Sequence, residues 1–215
     1  MIKSIIFDLD GTLLDTSGDI CSVLNCSLKK FGLPELSLEK TMEYVGNGAR
    51  RLIERAVGDN RGLIEKVYND FTENFAACDN SLTKLYPNEA EILEYFIGKR
   101  IKLAIVTNKP QKAAAGVYTQ YLARFGFFKL YGQTDAFPLK PDPASTLSII
   151  GEFGLKKEEC LFVGDGETDV ETARAAGISC ISVLWGFRTE KQLKEAGAEL
   201  FAHSFEELKN IVLKS

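Results

Sequence analysis

Three short apolar segments that each end in polar residues constrain the fold of this chain most strongly. The segments cover residues 5–7, 101–106 and 160–163. Each is typical of a buried β-strand, because branched and aromatic side chains fill a short run that ends at a turn signal. Helical patterns separate the segments from residue 87 onward. This alternation predicts an α/β fold with a doubly wound, mostly parallel sheet and right-handed crossovers.

The residues that follow these strands carry carboxylate, hydroxyl and amide groups. Asp8 and Asp10 follow the first strand, Thr107 and Asn108 the second, and Asp165 the third. Ligands of open parallel sheets bind outside the carboxyl ends of the strands, so we expect these side chains to meet at one place. The alternative for Asp10 is a capped turn, in which its carboxylate bonds only to local amides.

A lysine lies between the second and third strands, in the segment Leu139-Lys140-Pro141-Asp142-Pro143. The proline after Lys140 favours an extended backbone, and a helix is predicted to begin at Pro143. We expect the Lys140 ammonium to reach the same sheet edge, where it would neutralise carboxylates. A lysine that meets only solvent is the alternative.

Taken in order, these residues resemble the four motifs of the haloacid dehalogenase superfamily of phosphohydrolases. The matching positions are Asp8-Leu9-Asp10-Gly11-Thr12, Thr107, Lys140, and Gly164-Asp165 through Asp169. The resemblance covers nearly the whole chain. Within the superfamily, residues 45–50 (VGNGAR) and 140–143 (KPDP) are similar to the phosphoglycolate phosphatase group.

The resemblance implies a Rossmann-like core and a Mg²⁺ ion held by Asp8, Asp165 and the backbone carbonyl of Asp10. Asp8 would be the nucleophile that forms an aspartyl phosphate, and Asp10 would be the general acid and base. Asp169 would hold a metal-bound water or orient Lys140 from outside the metal shell. A charge that only stabilises a helix N-terminus is the open alternative for Asp169.

The groups expected to bind substrate come from three places. Thr107 and the Asn108 amide would hold phosphate oxygens, and Lys140 would neutralise the phosphoryl group. In residues 46–50, two glycines precede a helix, so free amides and the Arg50 side chain offer an anion site. Arg50 would bind the carboxylate of 2-phosphoglycolate; a solvated helix residue is the alternative.

The chain divides into a core and an inserted helical segment. Apolar residues recur at spacings of three and four across residues 16–82, which predicts a helical-bundle cap. Residues 1–15 and 83–215 would form the core. In the core, the predicted elements include a helix over 111–125, a strand over 130–134 and a strand over 180–185, with a last helix from residue 205.

Composition narrows the class of protein. With 45% hydrophobic and 26% charged residues, the chain has the composition of a soluble globular protein. The net charge of -4 argues against a nucleic-acid partner. No apolar run is long enough for a membrane span, and no signal-peptide pattern is present, so we expect a cytoplasmic protein. Monomer and homodimer both remain open.

The five cysteines form no CxxC pair, which is typical of a reducing compartment. The single histidine, His203, is expected at a strand end on the surface, which argues against histidine-dependent catalysis. Lys109 is assigned no role. Trp185 and Phe187 are expected to pack, although their loop is placed to approach substrate.

These observations predict a magnesium-dependent phosphatase acting on a small phosphorylated metabolite, with 2-phosphoglycolate as the preferred substrate. A β-phosphoglucomutase-like phosphosugar mutase is an alternative, but those mutases carry a histidine where this chain has Ile20. A pyrophosphatase or sugar phosphatase of the same superfamily is another alternative. A non-catalytic binding module is disfavoured because every chemistry-bearing residue is present.

Overall fold

Strands and helices alternate along the computed structural model, which describes residues 1–214. The described strands are β1 (Ser4–Phe7), β2 (Leu14–Asp15), β3 (Lys84–Leu85), β4 (Lys102–Pro110), β5 (Lys129–Gln133), β6 (Cys160–Gly164), β7 (Ser179–Val183) and β8 (Leu200–Ala202). The described α-helices are α1 (Ser17–Lys30), α2 (Leu38–Tyr44), α3 (Gly48–Val57), α4 (Ile64–Ala76), α5 (Glu89–Gly98), α6 (Gln111–Tyr121), α7 (Ala144–Phe153), α8 (Glu167–Ala176), α9 (Glu190–Glu195) and α10 (Phe205–Lys214).

The main sheet has six strands in the order β5-β4-β1-β6-β7-β8, and all neighbouring pairs are parallel. β1 lies in the middle, with Phe7 opposite Ile105 on one side and Val163 on the other. Its side chains are buried on both faces: Ile5 and Phe7 belong to one apolar cluster and Ile6 to another. Burial on both faces explains the continuous apolar run in the sequence.

The predicted doubly wound, mostly parallel α/β core is confirmed. The chain moves from β1 outward to β4 and β5 and then returns to β6 on the other side of β1. This reversal creates a crevice at the carboxyl ends of the central strands, which is where ligands of such sheets bind. Asp8, Thr107 and Asp165 all lie at this crevice.

Several element predictions differ from the structure in detail. The helix predicted over 111–125 ends at Tyr121, and a separate 3₁₀ turn covers Ala123–Phe125. The strand predicted over 180–185 is β7, which ends at Val183. The sequence prediction named neither α9 nor β8, because β8 is only three residues long and its Leu200 is exposed. His203 is exposed directly after β8, as predicted.

Four α-helices, α1 to α4, lie between β2 and β3 and have an apolar cluster of their own. The cluster includes Leu24, Ile53 and Phe71, and it reaches the core at Ala113 of α6. We call residues 16–82 the cap segment. β2 and β3 pair as a short antiparallel ladder, so the chain leaves and re-enters the core at adjacent points.

A buried aspartate joins the two ends of the cap segment. Asp19 on α1 accepts hydrogen bonds from the Leu82 amide at 3.2 Å and from the Thr83 hydroxyl at 2.6 Å. Its side chain is therefore satisfied although Asp19 is only 3% exposed. Among the described residues, no helix is long and apolar enough to cross a membrane.

Candidate active site

The loop after β1 positions two aspartates at the crevice. The Asp8 amide donates to Val163 O at 2.9 Å, which continues the pairing of β1 with β6. The chain then turns sharply, and Leu9 O accepts hydrogen bonds from the three amides of residues 12–14. Gly11 has a φ of +84°, and a Cβ atom there would lie 2.4 Å from Asp165 Oδ2. Only glycine fits this turn without strain.

Lys140 lies between two carboxylates. Its Nζ is 2.8 Å from Asp8 Oδ1 and 2.6 Å from Asp169 Oδ1, and its side chain is 1% exposed. Asp169 uses its other oxygen to accept from the Gly166 amide at 2.9 Å, at the start of α8. Asp169 therefore contacts Lys140 and also caps a helix, while its holding of a metal-bound water stays a prediction.

Asp165 completes a cluster of three carboxylates. It accepts hydrogen bonds from the Thr12 hydroxyl at 2.9 Å and the Phe187 amide at 2.7 Å. Carboxylate oxygens of Asp8, Asp165 and Asp169 lie within 4.8 Å of one another. The Lys140 ammonium pairs with two of these carboxylates, Asp8 and Asp169, so a divalent cation would balance the remaining negative charge of the cluster. Oxygen ligands of this kind fit Mg²⁺.

The crowding of these carboxylates changes their acidity. Burial, together with the charges of Asp169 and Asp165, raises the pKa of Asp8 to about 8, against the opposing effect of Lys140. Burial and the Asp169 charge raise the pKa of Asp165 to about 7. Burial lowers the pKa of Lys140, but Asp169 and Asp8 outweigh it and leave that pKa above its ordinary value. Lys140 is therefore a permanent cation.

These shifts predict that Mg²⁺ stabilises the fold more at high pH. The folded pKa values of Asp8 and Asp165 lie above the value of 3.8 for free aspartate, so the metal-free protein loses stability as the pH rises from about 4 to 8. Mg²⁺ binds the charged forms and offsets this loss. In thermal unfolding, saturating Mg²⁺ should raise the melting temperature more at about pH 8.5 than at about pH 5.5.

Asp165→Asn is the matched variant for this measurement, since it keeps the shape of the side chain and removes one proposed metal ligand. Its melting temperature should respond weakly to Mg²⁺ at either pH. An equal Mg²⁺ response of the unmodified protein at both pH values would contradict the prediction.

Asp10 faces the same cavity through different partners. Its Oδ1 accepts from the Thr16 hydroxyl at 2.7 Å and from Lys109 Nζ at 2.9 Å. Lys109 is 2% exposed at its side chain, and its Nζ lies 4.0 Å from the centroid of the Phe75 ring on α4. The capped-turn alternative for Asp10 does not describe these contacts. Lys109 was assigned no role from the sequence, although it directly follows Thr107 and Asn108.

Thr107 and Asn108, predicted to follow the second strand, lie inside it instead, because β4 continues past Val106 to Pro110. Thr107 lines the cavity, and its hydroxyl accepts from the Lys109 amide at 3.2 Å. The Asn108 side chain accepts from the Lys140 amide at 2.8 Å and donates to the carbonyls of Lys140 and Gly46. It therefore fixes the Lys140 loop and touches the cap segment. The side-chain amide of Asn108 is therefore committed to protein groups.

The cavity is partly open to solvent, and the space it encloses measures about 620 Å³ when its open mouth is counted. Its core wall is polar and includes Asp8, Asp10, Thr107, Asn108, Lys109, Asp165 and Arg188. Its cap wall is formed by apolar side chains and glycines, namely Ile20, Val45, Gly46, Gly48, Ala49, Leu52, Phe71 and Phe75. A ligand therefore meets charge on one side and hydrocarbon on the other.

Arg50 lies outside this cavity lining. Its Nε is 3.4 Å from Glu54 Oε1, and its terminal nitrogens bond to both oxygens of Glu65. The side chain is 41% exposed. The structure thus brings the 46–49 loop to the cavity but not the Arg50 guanidinium, whose role in binding a carboxylate stays a prediction.

The arginine that does line the cavity is Arg188, in the loop after β7. Its Nε donates to both oxygens of Glu167 at 2.9 and 3.1 Å. Its terminal nitrogens donate to the carbonyls of Met42 and Val45, at the end of α2. Arg188 therefore bonds the core to the cap segment at the C-terminus of a helix, where cations are favoured. Sequence reasoning noticed this loop but assigned Arg188 no role.

The fold and the site together define a hydrolase of the doubly wound α/β class, with a carboxylate cluster at the topological switch point. The chain belongs to the haloacid dehalogenase-like hydrolase family, whose profile matches residues 5–183. The predicted resemblance is therefore confirmed.

Several relatives match over most of their length. Phosphoglycolate phosphatase of Haemophilus influenzae is 33% identical over 223 residues, covering 98% of each chain. Phosphoglycolate phosphatase 1 of Pseudomonas aeruginosa is 31% identical, covering 96% of this chain and 78% of that protein. Relatives of this kind identify the chain as a phosphatase of the family.

Solved structures of similar shape include a protein from Haemophilus somnus described as a predicted phosphoglycolate phosphatase. It has a TM-score of 0.88 and 28% identity, covering 98% of this chain and 97% of that one. A hydrolase of the haloacid dehalogenase-like family from Streptococcus pneumoniae has a TM-score of 0.82, which supports the fold.

Proposed function

We propose that this protein is a magnesium-dependent phosphatase that hydrolyses a small phosphate monoester through an aspartyl phosphate on Asp8. One observation carries the proposal: Asp8 and Asp10 face one cavity that is bordered by Thr107, by Lys140 behind Asp8, and by the carboxylate cluster. This arrangement offers a nucleophile, an acid and positive charge within one small volume.

The first step transfers the phosphoryl group to Asp8. An oxygen of Asp8 attacks phosphorus while the bond from phosphorus to the leaving oxygen breaks, and Asp10 donates a proton to that oxygen. Thr107 and the Asn108 backbone amide hold the equatorial oxygens. Lys140 keeps its charge beside Asp8 and offsets the repulsion between the carboxylate and the phosphate.

The second step restores the enzyme. Asp10, now unprotonated, removes a proton from water as the water attacks the phosphorus, and the bond to Asp8 breaks. Inorganic phosphate then leaves. Asp8, Asp165 and the Asp10 carbonyl would hold Mg²⁺, with Asp169 outside that shell, and the bound cation supplies charge stabilisation for the phosphoryl oxygens.

The proposed substrate is 2-phosphoglycolate. One observation supports it: relatives that match over most of their length, such as those of Haemophilus influenzae and Pseudomonas aeruginosa, are phosphoglycolate phosphatases. A phosphosugar mutase would need a side chain on the cap wall that transfers a proton to or from a sugar hydroxyl. Ile20 lines the cavity at the position where those mutases carry a histidine, and a hydrocarbon side chain moves no proton.

We further propose that the cap segment moves over the site during turnover. Its helices share an apolar cluster, and the chain crosses between the cap segment and the core at one short ladder, which suits motion as a unit. A cytoplasmic location is part of the same proposal. The cysteines in the described residues are all free thiols, which suits a reducing compartment.

A screen of the purified protein with Mg²⁺ against phosphorylated metabolites tests the proposed function. The panel should include 2-phosphoglycolate, pyrophosphate and hexose phosphates, with released phosphate as the readout. We expect 2-phosphoglycolate to give the highest kcat/KM and chelation of the metal to stop turnover. Release of phosphate that does not depend on metal, or a strong preference for a hexose phosphate, would contradict the proposal.

A further inference from the structure

The cavity contains very few positive charges, and they are not equally available. Among the described residues that line it, Lys109 and Arg188 are the cations. Arg188 already bonds Glu167, Met42 and Val45 through its Nε and both terminal nitrogens. An ammonium has three donors. Lys109 Nζ donates one hydrogen bond, to Asp10 Oδ1, so the other donors of this ammonium remain for a ligand in the cavity.

We propose, resting on the phosphatase function above, that Lys109 binds the carboxylate of the substrate and thereby selects O-phosphorylated short α-hydroxy acids. Lys109 Nζ lies 2.9 Å from Asp10 Oδ1, and Asp10 is the group that gives a proton to the leaving oxygen. In an α-hydroxy acid ester, one carbon separates that oxygen from the carboxylate. A cation in contact with Asp10 therefore lies next to the position that the substrate carboxylate would occupy.

The surroundings of Lys109 strengthen its interaction with an anion. Its side chain is 2% exposed, and the Phe75 ring of the cap lies 4.0 Å from Nζ. The ring face attracts the ammonium, holds it toward the cavity and keeps water away from one side. A charged hydrogen bond in such a site is stronger than one in water. Closure of the cap over Lys109 would thus favour binding of a carboxylate.

The cap wall limits what else the leaving group contains. Leu52, Phe71 and Phe75 provide hydrocarbon but no hydrogen-bonding side chain. A sugar phosphate would press its hydroxyl groups against this wall and lose their hydrogen bonds to water without replacement. A short hydroxy acid has a single polar group beyond the ester, and Lys109 satisfies it. The class therefore includes 2-phosphoglycolate and 2-phospholactate, and excludes polyhydroxylated esters.

The test compares Lys109→Met with the unmodified protein on two substrates that differ only in the proposed contact. These are 2-phosphoglycolate and 2-hydroxyethyl phosphate, in which a hydroxymethyl group replaces the carboxylate. Any effect of the variant on Asp10 acts on both substrates and cancels in the ratio of their kcat/KM values. We expect this ratio to fall by about 10- to 100-fold, because a hydrogen bond to a charged group is removed.

Lys112→Met is the matched control. Lys112 is exposed on the first turn of α6 and does not line the cavity, so its replacement should leave the ratio within about 2-fold of the original value. Cooperative thermal unfolding would show that Lys109→Met is folded. If it does not unfold cooperatively, Lys109→Gln is used in its place. Inhibition gives a second readout: 3-phosphonopropionate should inhibit the unmodified protein more than propylphosphonate does, and the Lys109 variant should lose this difference.

The outcomes separate this inference from the proposed function. An unchanged ratio in a folded Lys109 variant overturns the role of Lys109. Loss of the carboxylate preference in Arg50→Ala, with Lys109→Met unaffected, assigns the carboxylate to Arg50 and also overturns it. Equal turnover of both substrates by the unmodified protein rejects the substrate class but keeps a phosphatase. Failure to hydrolyse any phosphate ester with Mg²⁺ rejects the proposed function itself.

Discussion

Asp8→Asn should abolish turnover, by at least about 10⁴-fold, while the protein remains folded. The amide keeps the shape of the carboxylate but has no charge with which to attack phosphorus. Lys140 retains Asp169 as a partner at 2.6 Å, so the buried ammonium is still neutralised. The substitution also removes a buried carboxyl group whose pKa is raised to about 8. Above that pH the charged carboxylate destabilises the folded protein, so the melting temperature of the variant should not fall there.

The measurement is kcat for 2-phosphoglycolate with Mg²⁺, together with mass spectrometry of protein quenched during turnover. The unmodified protein should carry a phosphoryl group on the peptide that contains Asp8, and the variant should carry none. Asp59→Asn is the control, since Asp59 is exposed on the cap and lies outside the cavity lining. Residual activity of Asp8→Asn above about 1% of the original would rule out the covalent route.

Asp10→Asn should reduce turnover by about 10²- to 10⁴-fold, and the loss should depend on the leaving group. An alkyl phosphate needs a proton on its leaving oxygen, whereas an aryl phosphate leaves as a weakly basic phenolate. The asparagine keeps an oxygen that accepts from Thr16 and Lys109, so the loop should be unchanged. The alkyl ester should therefore suffer the larger loss in the first step.

Single-turnover rates for 2-phosphoglycolate and p-nitrophenyl phosphate measure this difference. Release of the phenol in the first turnover isolates the step in which Asp10 acts as the acid, since the later attack by water is common to both esters. Equal losses on the two substrates would show that Asp10 does not protonate the leaving group. Thr16→Val offers a milder comparison, because it removes one hydrogen bond to Asp10 and keeps the carboxylate.

The central residues of the site could be predicted because each of them directly follows an apolar segment that is recognisable as a strand. Asp8, Thr107 and Asp165 each follow an apolar run, and a parallel sheet brings such positions together without any further information. Lys140 was predictable for a related reason: its proline neighbours fix a loop at the same edge of the sheet. Their prediction needed only local sequence patterns and the rule that ligands bind at the carboxyl ends of parallel strands.

The residues that were missed from the sequence make their contacts with groups that are distant along the chain. Arg188 donates to the carbonyls of Met42 and Val45, and a carbonyl is the same in every residue type. No side-chain pattern therefore indicates such a partner. Lys109 was missed because its significance comes from Phe75, which α4 brings against it from the cap segment.

Arg50 illustrates the limit of a correct local prediction. The helix predicted after the two glycines of residues 46–50 is α3, which begins at the second of them, Gly48, and its first residues reach the cavity. Ala49, Leu52 and Ile53 share the buried face of α3, which leaves Arg50 on the flank beside Glu65. The sequence shows which side chains lie near a helix end. Which of them faces a ligand depends on how the helix is rotated about its axis, and packing of its apolar face sets that rotation.

The two-rung ladder between β2 and β3 has a consequence for how such enzymes diversify. Leu14 pairs with Leu85 and Asp15 with Lys84, and Asp19 bonds Thr83 just beyond them. The chain therefore enters and leaves the cap segment at two adjacent points of the core. A different helical bundle can be inserted between these two neighbouring crossings without changing the strand order of the sheet, so the segment that covers the site and the residues that carry the chemistry can vary separately.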